Sequence, residues 1–187
     1  MEITQTLYVT TPEEWRAWLE VHYKTESEIW LVYYKKHTGK PRIVYNDAVE
    51  QALCFGWIDS TAKKLDEDRT AQRFSPRKPR SGYSQQNIER LRYLVSQGLV
   101  VDEVLATLGD TLEQEFVFPL DILTAIKADK QAWENYQNFS DTYKRIRVAF
   151  IEGARKRPEE FQKRLKYFIK VTHENKQIGF GGIEKYY

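Results

Sequence analysis

The chain has 187 residues, 41% of them hydrophobic and 14% aromatic, with a formal net charge of +2 and a single cysteine. That length allows one domain, or a core with a smaller second unit, and the near-balanced charge excludes a polycation. The lone Cys54 excludes an internal disulfide and points to a reducing compartment.

The opening "MEITQTLYVTTPEEW" lacks the basic and then apolar segments of a secretory signal. No run approaches the roughly 18 apolar residues of a membrane span. A soluble, cytoplasmic protein is the expectation. Residues 6–10, "TLYVT", read as a strand. A helix opens next, with Thr11 as N-cap, Pro12 in its first turn and Glu14 completing a capping box. Trp15, Trp18 and Leu19 fall on one face of it. "EIWLVYYKK", residues 28–36, is aromatic and β-branched, hence a strand. "HTGKPR" is turn chemistry. "YNDAVEQALCFG" reads as a helix capped by Asn46 or Asp47 and stopped by Gly56.

"WIDSTAKKL" and "RTAQRFS" flank the acidic turn "DED" and read as a hairpin. A register set by that turn places Asp59 opposite Ser75 and Thr61 opposite Arg73. Trp57, Asp59, Thr61, Arg73 and Ser75 then share one face. "PRKPRSGYS" is a loop, and Ser84 caps a helix closed by Gly98. Its apolar side carries Ile88, Leu91, Tyr93 or Leu94, and Val95. Helical segments follow: 101–109, 118–139 with Ile122, Ile126, Trp133 and Tyr136, 140–157 with Tyr143, Ile146, Phe150 and Ala154, and 158–175 with Phe161, Leu165, Phe168 and Ile169. The tail from residue 179 is glycine-rich and aromatic.

The class is α+β: a mixed half over 1–108 with a small antiparallel sheet, then an all-helical half over 119–178 and a tail over 179–187. Charge is uneven along it. Residues 60–92 carry net +5, 102–141 net −7 and 144–170 net +7. The middle block either neutralises its neighbours or leaves them as anion-attracting patches.

Several stretches resemble the YdeI/OmpD-associated, bacteriocin-protection family. They are "EEW…WL", "EIWLVYYKKHTGKP", "ALCFGWID", "RFSPRKP", "SGYSQQN" and, in the second half, "PLDILTAIKADKQAWENYQNFSDTYKRIRVAFIEGARKRPEEFQKRLKYFIK". Tyr83 stands where the family pattern has a tryptophan. The resemblance implies a role in stress or antimicrobial resistance and names no mechanism.

Among candidate site residues, Cys54 lies at a helix end whose dipole disfavours a thiolate, so it reads as a small buried side chain rather than a nucleophile. Trp57 is either core or a stacking platform. Asp59 and Arg73 are either a plain ion pair or an Asp orienting an Arg toward an anion. In "SPRKPR", Pro76 and Pro79 stiffen a loop that presents Arg77, Lys78 and Arg80, with Ser75 and Ser84 as hydroxyl donors. The helix after Ser84 adds free N–H groups and a positive dipole, and Asn87 sits one turn in. Trp57, Asp59, Arg73, Ser75, Arg77, Lys78, Tyr83, Ser84 and Asn87 are therefore the expected binding residues for phosphate, carboxylate or a nucleic-acid backbone. Trp57 or Tyr83 would stack on any ring. His22, His37 and His173 are scattered, which gives no metal set, and no cofactor is expected. Arg145, Arg155, Lys156, Arg157, Arg164 and Lys166 either track nucleic-acid phosphates or form solvated helix faces and ion pairs. No P-loop, dinucleotide fingerprint, zinc-protease or nucleophile-elbow motif occurs. The expectation is a binding protein for an anionic ligand. An enzyme on a small anionic substrate, using Asp59, His37 or Cys54, and a nucleic-acid binder are the alternatives.

Overall fold

The computed structural model describes residues 2–78, 81–179 and 182–187. The architecture is α+β, and the chain divides into two compact units. One holds Met1–Gly82 and Leu91–Gly109, the other Tyr83–Arg90 and Asp110–Tyr187.

The first unit is a four-stranded sheet with helices. Its strands are β1 (Thr6–Leu7), β2 (Ile29–Tyr34), β3 (Trp57–Lys64) and β4 (Arg69–Pro76), in the order β1-β2-β4-β3. β1 runs parallel to β2, and the other pairings are antiparallel. α1 (Pro12–His22) starts as its sequence dictates, with Thr11 Oγ1 accepting the Glu14 N–H at 3.2 Å. The Glu14 carboxylate reaches one residue further back than a standard capping box, to the Thr10 N–H at 2.7 Å. Trp15 and Leu19 are fully buried, and the Trp15 indole donates to the Ala48 carbonyl at 3.0 Å. That bond ties α1 to α2 (Tyr45–Cys54) and satisfies a polar atom that would otherwise be costly to bury.

α2 differs from its expected start. Val44 is the N-cap and no side chain caps it. Asn46 lies inside the helix, buried, where its amide donates to the Glu50 carboxylate one turn on. Gly56 ends the turn after α2 with φ +71°, the left-handed conformation that glycine adopts without steric cost.

The hairpin follows its turn for half its length. Ala62 faces Gln72 and Lys64 faces Thr70, the register that the acidic turn sets. A bulge between Asp59 and Ala62 then places Ser60 and Thr61 opposite the single Arg73, so Asp59 faces Phe74 and Ile58 faces Ser75. Asp59 thus shares a face with buried Phe74, and Arg73 projects from the other face. The expected face shared by Asp59 and Arg73 does not exist.

α3 (Gln85–Ser96) contributes Gln85–Arg90 to the second unit and the rest to the first. Leu91 and Leu94 are buried and Tyr93 is exposed, which decides between the two apolar registers. α4 (Asp102–Leu108) completes the first unit.

The rest of the second unit is helical. The segment expected as one helix over 118–139 is two, α5 (Leu120–Lys127) and α6 (Lys130–Asn138). Asp129 interrupts it and caps α6, accepting the Ala132 N–H at 3.0 Å. α7 (Asp141–Glu152) is capped by Ser140, and α8 (Pro158–His173) begins on a proline. Their core gathers Ile122, Ile126, Tyr136, Tyr143, Phe161 and Phe168. Truncating Phe161 or Phe168 to alanine removes about 3–5 kcal/mol. Phe150, expected in that core, is 53% exposed, because the buried stripe of α7 runs through Tyr143, Ile146, Arg147 and Ile151 instead. The tail docks. The Tyr187 hydroxyl donates to the Ile178 carbonyl at 3.0 Å, and its ring meets Tyr143 edge-on at 4.7 Å. Phe180 and Gly181 of that tail lie outside the described residues. No helix among the described residues is long and apolar enough to cross a membrane.

Candidate functional site

The nine expected binding residues are divided between the units. Trp57, Asp59, Arg73, Ser75, Arg77 and Lys78 belong to the first, and Tyr83, Ser84 and Asn87 to the second.

In the first unit most of these groups are spent on the fold. Trp57 is 1% exposed, its indole donates to the Tyr23 carbonyl at 3.1 Å, and its ring packs edge-on against Trp18. It is core and offers no face for a ligand ring. Asp59 accepts from the Tyr45 hydroxyl at 2.6 Å. Arg73 pairs with Glu28 rather than Asp59, with Nε 2.6 Å from the carboxylate. It also donates to Ser60 Oγ at 3.3 Å and Ser75 Oγ at 3.2 Å. Hydrogen bonds from Thr4 and then from Arg73 hold the Glu28 carboxyl below its ordinary range. Arg77 braces its own loop, donating to the carbonyls of Ser81 and Gly82 at 3.0 and 2.9 Å. Lys78 is exposed. Pro79 and Arg80 lie outside the described residues.

Cys54 is fully buried, and burial pushes its thiol up to about 11. His37 is exposed and sits 2.9 Å from Asp68. No cluster of three or more His, Cys, Asp or Glu suited to a metal ion occurs among the described residues.

The second unit holds the more developed site. Ser84 precedes α3 and caps it, with Oγ accepting the Asn87 N–H at 3.3 Å. Asn87 accepts from Arg90 at 2.8 Å, so its amide oxygen is committed within the helix. The N–H groups of Gln85 and Gln86 open α3 and have no carbonyl one turn back to bond. This end of α3 is anchored to α7 by an ion pair in which Arg145 donates to Glu89 from Nε at 2.6 Å and Nη2 at 3.0 Å. The Glu89 side chain is only 4% exposed, and its carboxylate also accepts from Gln85 at 2.8 Å.

A recess of about 270 Å³ opens there. Ser84, Gln85 and Gln86 form one wall, Ile146, Ala149, Phe150 and Gly153 the apolar side, and Arg147 and Arg164 its cations. Arg147 is 7% exposed, and its Nη2 donates to the Ile178 carbonyl at 2.5 Å and to the Tyr187 hydroxyl. Its Nε is buried with no hydrogen-bond partner. Among the described residues no carboxylate pairs with it. A buried guanidinium without a counter-charge is unusual, since such groups are ordinarily paired. Arg164 lies over the Phe150 ring at 3.8 Å and pairs with Glu160 at 2.7 Å.

Ser84 was visible in the sequence as a cap. Arg147 was not singled out, although it stands four residues after Tyr143 on the apolar stripe of α7, where a cation is out of place. The remaining basic candidates divide. Arg145 pairs with Glu89, and Arg155 with Asp121 and Glu152, both at 2.5 Å. Lys156, Arg157 and Lys166 are exposed.

No curated protein and no solved structure matches the chain. Residues 115–175 match the family described as bacteriocin-protection, YdeI or OmpD-associated, in the helical half where the sequence resembles it. The N-terminal stretches read with the same resemblance fall within a different match. Residues 7–107, more than half of the chain, match the family described as a domain of unknown function, DUF8412, and the chain belongs to that family.

Proposed function

We propose that this protein acts by binding a small anionic ligand, and that the recess of the second unit is where it does so. One observation carries the reading: the buried Arg147 guanidinium, with an unpartnered Nε, lines the same recess as the N-terminus of a twelve-residue helix. Helix N-termini attract anions through free N–H groups and the positive end of the dipole. A guanidinium in a poorly solvated site strengthens that attraction. The loop over 75–78 supports it less, because Arg73 and Arg77 are already engaged. A setting in antimicrobial protection comes from the description of the family that the helical half matches.

The test is a shift map of backbone amides in the full chain, titrated with phenylacetate, acetate and inorganic phosphate at constant ionic strength. The expected shifts centre on Gln85, Gln86 and residues 146–150. Shifts confined to Arg77 and Lys78, or none anywhere, would reject the recess as the site.

A further inference from the structure

The recess also carries information about which anion it takes, an inference that rests on the reading just proposed. Its charge can be counted group by group. Arg164 is matched by Glu160, and its Nη1 donates to the Phe150 carbonyl at 2.7 Å. Glu89, beneath Gln85, is matched by Arg145. Among the residues that line the recess, what remains is the single charge of Arg147 and the partial charge at the start of α3. That sum suits one negative charge. A dianion such as phosphate would bring a second charge into a recess whose lining has no second unmatched cation, at a desolvation cost that the lining does not repay.

Most of the remaining lining of the recess is carbon. Ile146, Ala149 and Gly153 form its floor, and the Phe150 ring stands half out of α7 with the Arg164 guanidinium over it. An exposed aromatic ring held flat by a cation is a ready surface for a second apolar group. The volume, about 270 Å³, lies at the small end of ligand sites, which run from about 300 to 1,000 Å³. It admits one ring or a short chain. Arg147 is already fixed, since its guanidinium lies 5.8 Å from the Tyr143 ring and 5.6 Å from the Tyr187 ring. The guanidinium therefore loses little entropy when a ligand meets it.

We infer that the ligand is a free amphipathic monocarboxylate, an aryl or short alkyl acid. Its carboxylate lies between the Gln85 and Gln86 N–H groups and Arg147, and its apolar part lies on Ile146, Ala149 and Phe150.

Calorimetry on the full chain tests this with phenylacetate and hexanoate against three controls: acetate, which lacks the apolar part, phenylacetamide, which lacks the charge, and inorganic phosphate. Phenylacetate and hexanoate are expected to bind at least about tenfold tighter than acetate and phenylacetamide. Ala149→Leu, a substitution that a helix tolerates well, narrows the apolar part and is expected to weaken phenylacetate more than acetate. Arg147→Met is expected to remove binding of both acids. Should that variant fail to fold, the comparison of acid with amide decides the point on the wild-type chain. Phosphate binding tighter than every carboxylate overturns the monocarboxylate and leaves the anion reading standing. So does acetate binding as tightly as phenylacetate. Phenylacetamide binding as tightly as phenylacetate, or no binding by any of the five, overturns both.

Discussion

Arg145 grips Glu89 with two hydrogen bonds, at 2.6 and 3.0 Å, around a carboxylate that is almost wholly buried. The pair fastens the N-terminal part of α3 to α7 and so sets the wall of the recess. Its stabilising value is not the attraction alone. Removing one partner strands the other charge out of water, at about 3–5 kcal/mol. Arg145→Met is therefore expected to destabilise the chain by about 3 kcal/mol, and the double variant Arg145→Met with Glu89→Leu to recover most of that loss. Denaturant unfolding of the four proteins of the cycle measures it. A double variant as unstable as the sum of the singles would show that the two side chains do not act as a pair.

Glu28 gives the first unit a dependence on acid. Its carboxylate accepts from Thr4 Oγ1 at 2.6 Å, from Arg73 Nε at 2.6 Å and from the Trp30 indole at 3.2 Å, and these donors hold its pKa below the ordinary value of 4.5. A group whose folded pKa is depressed stabilises the fold above its unfolded value and loses that contribution as pH falls through the folded one. Glu28→Gln should thus lower the melting temperature at pH 7. The gap to wild type should close as pH drops below about 4.5. Melting curves across pH 3–7 decide it, and a gap that stays constant would mean that the carboxylate charge contributes nothing.

The two units differ in how much of them the sequence discloses. Helix starts were legible at Thr11 and Ser84, where cap and first turn are chain neighbours, but the equally local cap at Asp129 was hidden inside an unbroken apolar pattern. The hairpin register was legible from its turn as far as Ala62 and was lost at Asp59. The bulge there has no glycine to announce it, and it is fixed by what each face packs on: Phe74 into the core, Arg73 toward Glu28. A slip of one residue reverses every side chain beyond it. That is why Asp59 and Arg73, adjacent by alternation from the turn, lie on opposite faces. The recess was hidden for a different reason. Its parts come from three separate stretches around Ser84, Arg147 and Arg164, and only tertiary packing brings them together.

Gly56 is a position where a single methyl group has a calculable effect. Its φ of +71° costs an L side chain about 1–2 kcal/mol. A Cβ there would also meet Val104 Cγ2 at 3.1 Å, closer than ordinary contact. Gly56→Ala is expected to destabilise by at least about 1–2 kcal/mol, with part of the loss recovered in the presence of Val104→Ala. Chemical unfolding of both variants separates backbone strain from the contact. If Gly56→Ala is neutral, the left-handed turn between α2 and β3 is wrong.

Cys54 supplies the opposite pH dependence. Burial disfavours its thiolate and pushes the thiol up to about 11 from an ordinary 9.0, with Arg16 opposing the shift only in part. The raised folded pKa has a definite sign. The unfolded chain ionises first, so stability is intact below about pH 9 and falls as pH rises toward 11. A shift of about two units corresponds to about 2–3 kcal/mol at most. Tyrosines raised by burial act in the same direction, so the informative quantity is the difference between wild type and Cys54→Ala, in which they cancel. That difference should shift in favour of Cys54→Ala only above pH 9. Alkylation by iodoacetamide at pH 8 offers an independent check. A buried neutral thiol reacts at the rate at which the chain opens, far slower than in denaturant. Rapid alkylation of the native protein would show an accessible thiolate and restore Cys54 as a reactive group.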